Sequence, residues 1–190
     1  EINEGTILNC EAQSFGDNSS VYIGGITGRN AETGKIYNCS TAGIISGKAA
    51  VGGIAAENYG RIGLTDENNN GGKHKIAARI NAEEICAGGV AGFNTGIIDG
   101  FLLTESVTGT ASYIGGITGI NYGTVRNVGM EGKGISVSGK SYAGGYIGYM
   151  RNLTSNPVVF GGTENEPLLG LAEVTVTGEQ TRNDYVGNAG

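Results

Sequence analysis

Apolar residues along this chain fall in short clusters separated by glycine, asparagine and serine, and the clusters recur. A Gly-Gly pair flanked by apolar or small residues stands at Gly24-Gly25, Gly52-Gly53, Gly88-Gly89, Gly115-Gly116 and Gly144-Gly145, at intervals of 28, 36, 27 and 29 residues. An apolar residue follows each pair, and then usually another glycine (Gly28, Gly92, Gly119, Gly148, with Ala56 in the second copy). Asn30, Asn58, Asn94 and Asn121 come next, and after them a glycine with an apolar residue two positions on: Gly34/Ile36, Gly60/Ile62, Gly96/Ile98 and Gly123/Val125. Gly5/Ile7 is the same element without its Gly-Gly pair, and Val186-Gly187-Asn188 reads as a degenerate sixth copy. A third segment of the form apolar-x-Gly precedes the next pair, at Ile45/Gly47, Val107/Gly109, Val137/Gly139 and Val176/Gly178.

Each repeat thus carries three short β-type segments. No apolar stripe at helical spacing is sustained; Ala77 to Cys86 comes nearest, but it leads into Gly88-Gly89 as a strand should. Segments this short bury an apolar face only by stacking on copies of themselves. The pattern therefore predicts an all-β chain: a parallel β-helix (β-solenoid) of about five to six coils with three strands per coil. The Gly-Gly pairs are expected in register. Their glycines serve either corners with positive φ or the close approach of stacked backbones, and the sequence leaves both open.

Aligned copies give columns. Ile7, Ile36, Ile62, Ile98 and Val125 share one slot, and Cys10, Cys39, Thr65, Phe101 and Val128 another three residues on. Cys10 and Cys39 are accordingly expected to be buried, reduced and one rung apart. Asn9, Asn38 and Asn127, interrupted by Leu64 and Gly100, are expected to stack as a ladder at a left-handed corner. Two polar excursions swell the second and fifth coils, Asp66 to Lys75 and Met150 to Pro167. Residues 1–190 read as a single repeat region, expected to be cut from a longer solenoid.

Composition narrows the function classes. Glycine supplies 37 residues and proline 2, which fits neither collagen nor a Pro-rich linker. A formal charge of −6 argues against nucleic-acid binding, and the apolar runs are too short for membrane insertion by a helix. Three cysteines without a C-x-x-C pair, with a single histidine, do not compose a zinc site.

The run Gly-Gly-Ile-Thr-Gly, then Asn-Tyr-Gly, then Gly-Lys-Ile-Tyr-Asn-Cys resembles the GLUG-type repeat of bacterial surface proteins, among them large adhesins and immunoglobulin A peptidases. The copies Ile23–Cys39, Val51–Gly60, Ala87–Ile98 and Ile114–Val128 carry the resemblance. It implies a secreted or cell-wall-attached bacterial protein, hence an extracellular location, and says little about activity.

Candidate chemistry is sparse. His74 sits between two lysines in what reads as a solvated loop. Glu83-Glu84 would point to opposite faces of a strand and make a poor acid/base pair. No Asp, Lys or Arg recurs at one slot in neighbouring coils, as the active face of a polysaccharide-cleaving β-helix would require. Asp66-Glu67 with Asn68 to Asn70 could offer oxygens to calcium, but a turn-rich loop accounts for them as well. Gly24 to Gly28 lacks the Lys-Ser/Thr of a phosphate loop. Tyr22, Tyr113 and Tyr142 share a slot beside the Gly-Gly pairs, and an outward tyrosine column could take sugar rings or a partner. No catalytic, cofactor-binding or metal-ligating residue is assigned. The chain reads as a non-enzymatic stalk or adhesive module, whose ligand would be a host or cell-surface glycan or protein, with neighbouring domains of the same chain as its other partners. The alternative is an accessory region of a secreted protease or polysaccharide-active enzyme with its catalytic domain elsewhere.

Overall fold

In the computed structural model, which describes residues 1–15, 19–63, 74–151, 159–161 and 169–178, every regular element is a strand and every strand pairing is parallel. Four sheets run along the axis. Sheet I holds Ile2–Asn3, Thr27–Asn30, Ala55–Asn58, Ala91–Asn94, Thr118–Asn121 and Ile147–Met150; sheet II holds Thr6–Leu8, Lys35–Tyr37, Arg61–Gly63, Ile97–Asp99, Thr124–Arg126 and Val159–Gly161. Sheet III carries the longer strands Glu11–Phe15, Ser40–Gly47, His74–Ala82, Gly129–Gly139 and Leu169–Gly178, with Phe101–Leu103 and Val107–Gly109 sharing one coil. Sheet IV holds Tyr22–Gly24, Ala50–Gly52, Cys86–Gly88, Tyr113–Gly115 and Tyr142–Gly144. The chain is a β-solenoid of about five turns. The sequence marks three apolar segments per coil where the structure has four strands, because the Gly-Gly bend divides one segment between sheets IV and I.

That bend settles what the paired glycines do. Gly24, Gly52, Gly88, Gly115 and Gly144 pair in one row across sheet IV. A Cβ on Gly25, Gly53, Gly89 or Gly116 would overlap the carbonyl oxygen of the corresponding glycine one coil on, respectively Gly53, Gly89, Gly116 and Gly145. A Cβ on Gly88 would lie 2.5 Å from Thr118 Cα. None of these glycines has positive φ. Close approach of stacked backbones, not a left-handed corner, is therefore their function.

The left-handed corner lies between sheets II and III. There Asn9, Asn38 and Asn127 have φ of 54°, 55° and 52°, and Gly100 fills the same slot at 82°. Asparagine is among the few residues with a side chain that adopt this conformation at modest cost. The expected ladder forms only in part. Asn38 Nδ2 donates to Asn9 Oδ1 at 3.1 Å, but Asn127, with Gly100 in the neighbouring slot, donates to Asp99 Oδ1 at 2.9 Å.

The core follows the predicted columns. Ile7, Ile36, Ile62, Ile98, Val125 and Phe160 are in register across sheet II. Ile45, Ile80, Val107, Val137 and Val176 form a second row in sheet III. The side chains of Ile36, Ile62, Ile98, Val125, Ile45, Ile80 and Val107 are fully buried. Each buried Ile or Val removes enough apolar area to stabilise the fold by roughly 1.5–3 kcal/mol.

The excursions are shorter than their composition suggests. Of Asp66 to Lys75, residues 66–73 lie outside the described residues, while His74 and Lys75 begin a sheet III strand, with His74 opposite Phe101. His74 thus takes the slot that the sequence assigns to Thr65, and its backbone belongs to a strand, not a loop. Of Met150 to Pro167, Met150 closes a sheet I strand and Val159–Gly161 supplies the sixth sheet II strand. The degenerate copy Val186-Gly187-Asn188 lies outside the described residues, and no helix among them is long and apolar enough to cross a membrane.

Candidate functional site

Two constellations stand out on this scaffold, one inside the coil and one outside. Inside, an asparagine ends the sheet I strand after four of the five Gly-Gly bends, with Met150 in its place after the fifth, and strand periodicity turns the asparagine side chain into the corner. Asn3 Nδ2 donates to Asn30 Oδ1 at 2.8 Å, Asn30 to Asn58 at 2.8 Å, Asn58 to Asn94 at 2.7 Å and Asn94 to Asn121 at 2.7 Å. All but Asn3 are completely buried. The remaining hydrogen-bonding capacity of these amides holds the turn into sheet II: Asn30 Nδ2 also donates to the Gly34 carbonyl at 3.2 Å, and Asn121 Nδ2 to that of Gly123 at 3.0 Å. This polar spine satisfies its own buried groups coil by coil and is structural.

Outside, the slot before the ladder carries Arg29, Glu57, Phe93, Ile120 and Tyr149 in register, and Tyr59 and Tyr122 directly follow a ladder asparagine. Sheet IV brings Tyr22, Ala50, Cys86, Tyr113 and Tyr142 alongside. The rings join. Tyr59 meets Phe93 at 5.9 Å between centroids, Phe93 meets Tyr122 edge-on at 5.4 Å, Tyr122 meets Tyr149 at 6.4 Å, and Tyr149 meets Tyr113 at 5.4 Å. Tyr113 and Tyr142 stack at 5.1 Å with planes 10° apart. The tyrosine slot is therefore real, but Ala50 and Cys86 separate Tyr22 from the stacked pair.

At the Tyr59 end the strip acquires charge. The Arg29 guanidinium lies 4.3 Å from the Tyr59 ring centroid and 3.9 Å from the Glu57 carboxylate. Tyr22, at the first coil, is half exposed. Burial pushes the Tyr59 hydroxyl above the usual phenol range; Glu57 adds to the shift, Arg29 opposes it, and Tyr22 adds a little. Burial likewise pushes the Cys86 thiol up to about 12, helped by the carboxylate of Glu57. Cys86 is therefore a neutral thiol in the physiological range, poorly suited to act as a nucleophile.

The residues singled out from sequence do not gather here, apart from the tyrosines. Glu83-Glu84 lie in the bend between two strands and not within a strand; both backbone N–H groups donate to the Lys48 carbonyl, and Glu84 pairs with Lys48 Nζ at 3.5 Å. Asp66 to Asn70 lie outside the described residues. Cys10, Cys39 and Cys86 are free thiols; Cys39 and Cys86 are buried, whereas Cys10, in the first coil, is only partly so. Cys10 N–H donates to Cys39 Sγ at 3.4 Å, which places the two one rung apart.

Charged residues of different types share slots in neighbouring coils: Lys35 aligns with Arg61, and Asp99 with Arg126. The Asp99 carboxylate is held by Arg126 at 2.9 Å, Arg61 at 3.5 Å and Asn127, which is a cross-rung clamp. Sequence reading also missed Arg29, Glu57 and Phe93, because one slot holding Arg, Glu, Phe, Ile and Tyr shows no shared chemistry until the coils are stacked. No family model, curated protein or solved structure matches the chain.

Proposed function

We propose that this chain is a non-catalytic repeat module of a large secreted or cell-surface protein, acting as a stalk that also presents an adhesive face. The observation that carries the reading is the asparagine spine from Asn3 to Asn121. From Asn30 to Asn121 it ties each coil to the next by a buried hydrogen bond, and each stacked coil lengthens the rod by about 4.8 Å without a new core. The resemblance of four copies to GLUG-type repeats supports an extracellular, bacterial setting. The cross-rung ion pairs Lys48–Glu84, Lys75–Glu131 and Arg79–Glu105 support a structural use of the surface charges. In-frame deletion of whole coils from the full-length protein tests it. Surface labelling of intact cells should persist while the projection shortens in proportion, with any hydrolytic activity of the whole protein unchanged. Loss of turnover on removing these coils alone would contradict the proposal.

A further inference from the structure

We infer that the outer face of sheets I and IV around Glu57, Arg29, Tyr59 and Tyr22 binds a neutral glycan, which continues along the aromatic strip toward Tyr142. This deepens the adhesive half of the proposed function and rests on it. Arg29, Glu57 and Tyr59 meet at this place, and Tyr22 stands on the sheet IV strand that leads into the strand of Arg29. Glu57 and Arg29 keep 22% and 48% of their side-chain surface exposed, and Tyr22 is 52% exposed. Their pairing is loose at 3.9 Å, so both retain hydrogen-bonding capacity toward a ligand. The carboxylate accepts, the guanidinium donates, and the hydroxyls of Tyr22 and Tyr59 do both. The opposed charges cancel, leaving no field to select an ionic ligand. A neutral sugar matches this set: its hydroxyls donate and accept around a ring with an apolar C–H face that an exposed tyrosine can cover.

The extent of the strip indicates a chain of sugars and not a single unit. From Tyr59 the rings of Phe93, Tyr122, Tyr149 and Tyr113 continue in contact along the axis to Tyr142. Ala50 and Cys86 occupy the slots between Tyr22 and Tyr113. A ligand lying parallel to the axis thus meets polar groups over the first two coils and aromatic groups over the following three. A protein partner is disfavoured by the solvated ion pair at one end of the strip, since charged residues are depleted from the centres of protein interfaces.

The test is titration of the intact protein with cello-, chito-, laminari- and maltohexaose and, as a charged comparison, oligogalacturonate, by calorimetry and by amide shifts in NMR spectra. At least one neutral hexasaccharide should bind saturably and shift the amides of Arg29, Glu57 and Tyr59. Glu57→Gln should weaken it by about tenfold, the worth of a hydrogen bond to a charged group, and Tyr22→Ala by severalfold. Both changes are on the surface, and an unchanged melting temperature separates lost binding from lost fold. Failure of every neutral hexasaccharide to bind, tighter binding of oligogalacturonate, or affinity indifferent to Glu57→Gln and Tyr22→Ala would each overturn the inference. The stalk would survive such a result if coil deletion still shortened the projection, so the two readings fail separately.

Discussion

Replacing Asn94 by alanine removes the middle of the buried spine. Its Nδ2 donates to Asn121 Oδ1 at 2.7 Å and its Oδ1 accepts from Asn58 Nδ2 at 2.7 Å, and the side chain is completely buried. Two amide–amide hydrogen bonds are lost, each worth about 1 kcal/mol net, together with the longer donations from Nδ2 to the Gly96 carbonyl at 3.3 Å and the Thr124 carbonyl at 3.5 Å. The partners are not fully stranded: Asn58 Nδ2 retains the Ile97 carbonyl at 3.3 Å, and Asn121 Oδ1 retains the Gly123 N–H at 3.3 Å. Adding a small cavity and the incomplete satisfaction of both neighbours, the cost should be about 2–4 kcal/mol. That is a large part of the 5–15 kcal/mol usual for a domain. Asn3→Ala at the partly buried start of the ladder, which loses one such bond, should cost about 1 kcal/mol. Urea titration should show the midpoint falling with little change in slope, and hydrogen exchange should place the loss in the coils of Asn58 and Asn121. Equal costs for the two variants, or less than about 1 kcal/mol for Asn94→Ala, would refute a cooperative polar spine.

Further outcomes follow from local geometry. Gly89→Ala, whose Cβ would strike the Gly116 carbonyl and come 2.7 Å from Leu103 Cδ1, should cost about 3 kcal/mol or more, whereas Gly145→Ala, meeting only Met130 Cε at 3.7 Å, should stay within about 1 kcal/mol in thermal melts. Asn38→Val should destabilise by about 1–2 kcal/mol and Asn38→Gly by much less, because φ is 55° there; denaturant midpoints read the difference. The Cys86 thiol, raised to about 12 by burial, binds its proton more tightly in the folded than in the unfolded chain. Its contribution is therefore fully present below the ordinary thiol range and is lost as pH rises toward 12, by up to about 1.4 kcal/mol per pH unit, a slope that Cys86→Ala should reduce. In a thiol-labelling time course Cys10 should react first, and Cys39 and Cys86 only as coils open.

The fold was legible because one coil's neighbour is another copy of itself. Where a slot carries the same chemistry in every copy, as at Ile36, Ile62, Ile98 and Val125, alignment of the sequence with itself already gives the register. The Gly-Gly row was equally visible, but its cause was not: close approach and positive φ both select glycine, and only the position of the next coil's carbonyl separates them. The asparagines after the bend recur in four of the five copies, yet recurrence does not distinguish a corner conformation from a side-chain ladder. Asn38 does the first and Asn94 the second. Strands inside the excursions were hidden because His74 replaces an apolar residue in its column and because Val159–Gly161 follows a polar, proline-bearing stretch. The outer face was least legible, since solvent-facing slots need not agree between coils. Arg29, Glu57 and Phe93 become neighbours only after stacking.

Methyl contacts test the stacked, in-register solenoid most directly. In a sample labelled at Ile and Val methyls, nuclear Overhauser cross-peaks should connect Ile36 to Ile62, Ile62 to Ile98 and Ile98 to Val125, the successive partners across sheet II. Ile36 and Ile98, two rungs apart at about 9.6 Å, should show no direct peak of comparable strength. A broken chain of contacts, or strong peaks that skip a rung, would contradict the coil order and with it the spine and the outer face built on that order.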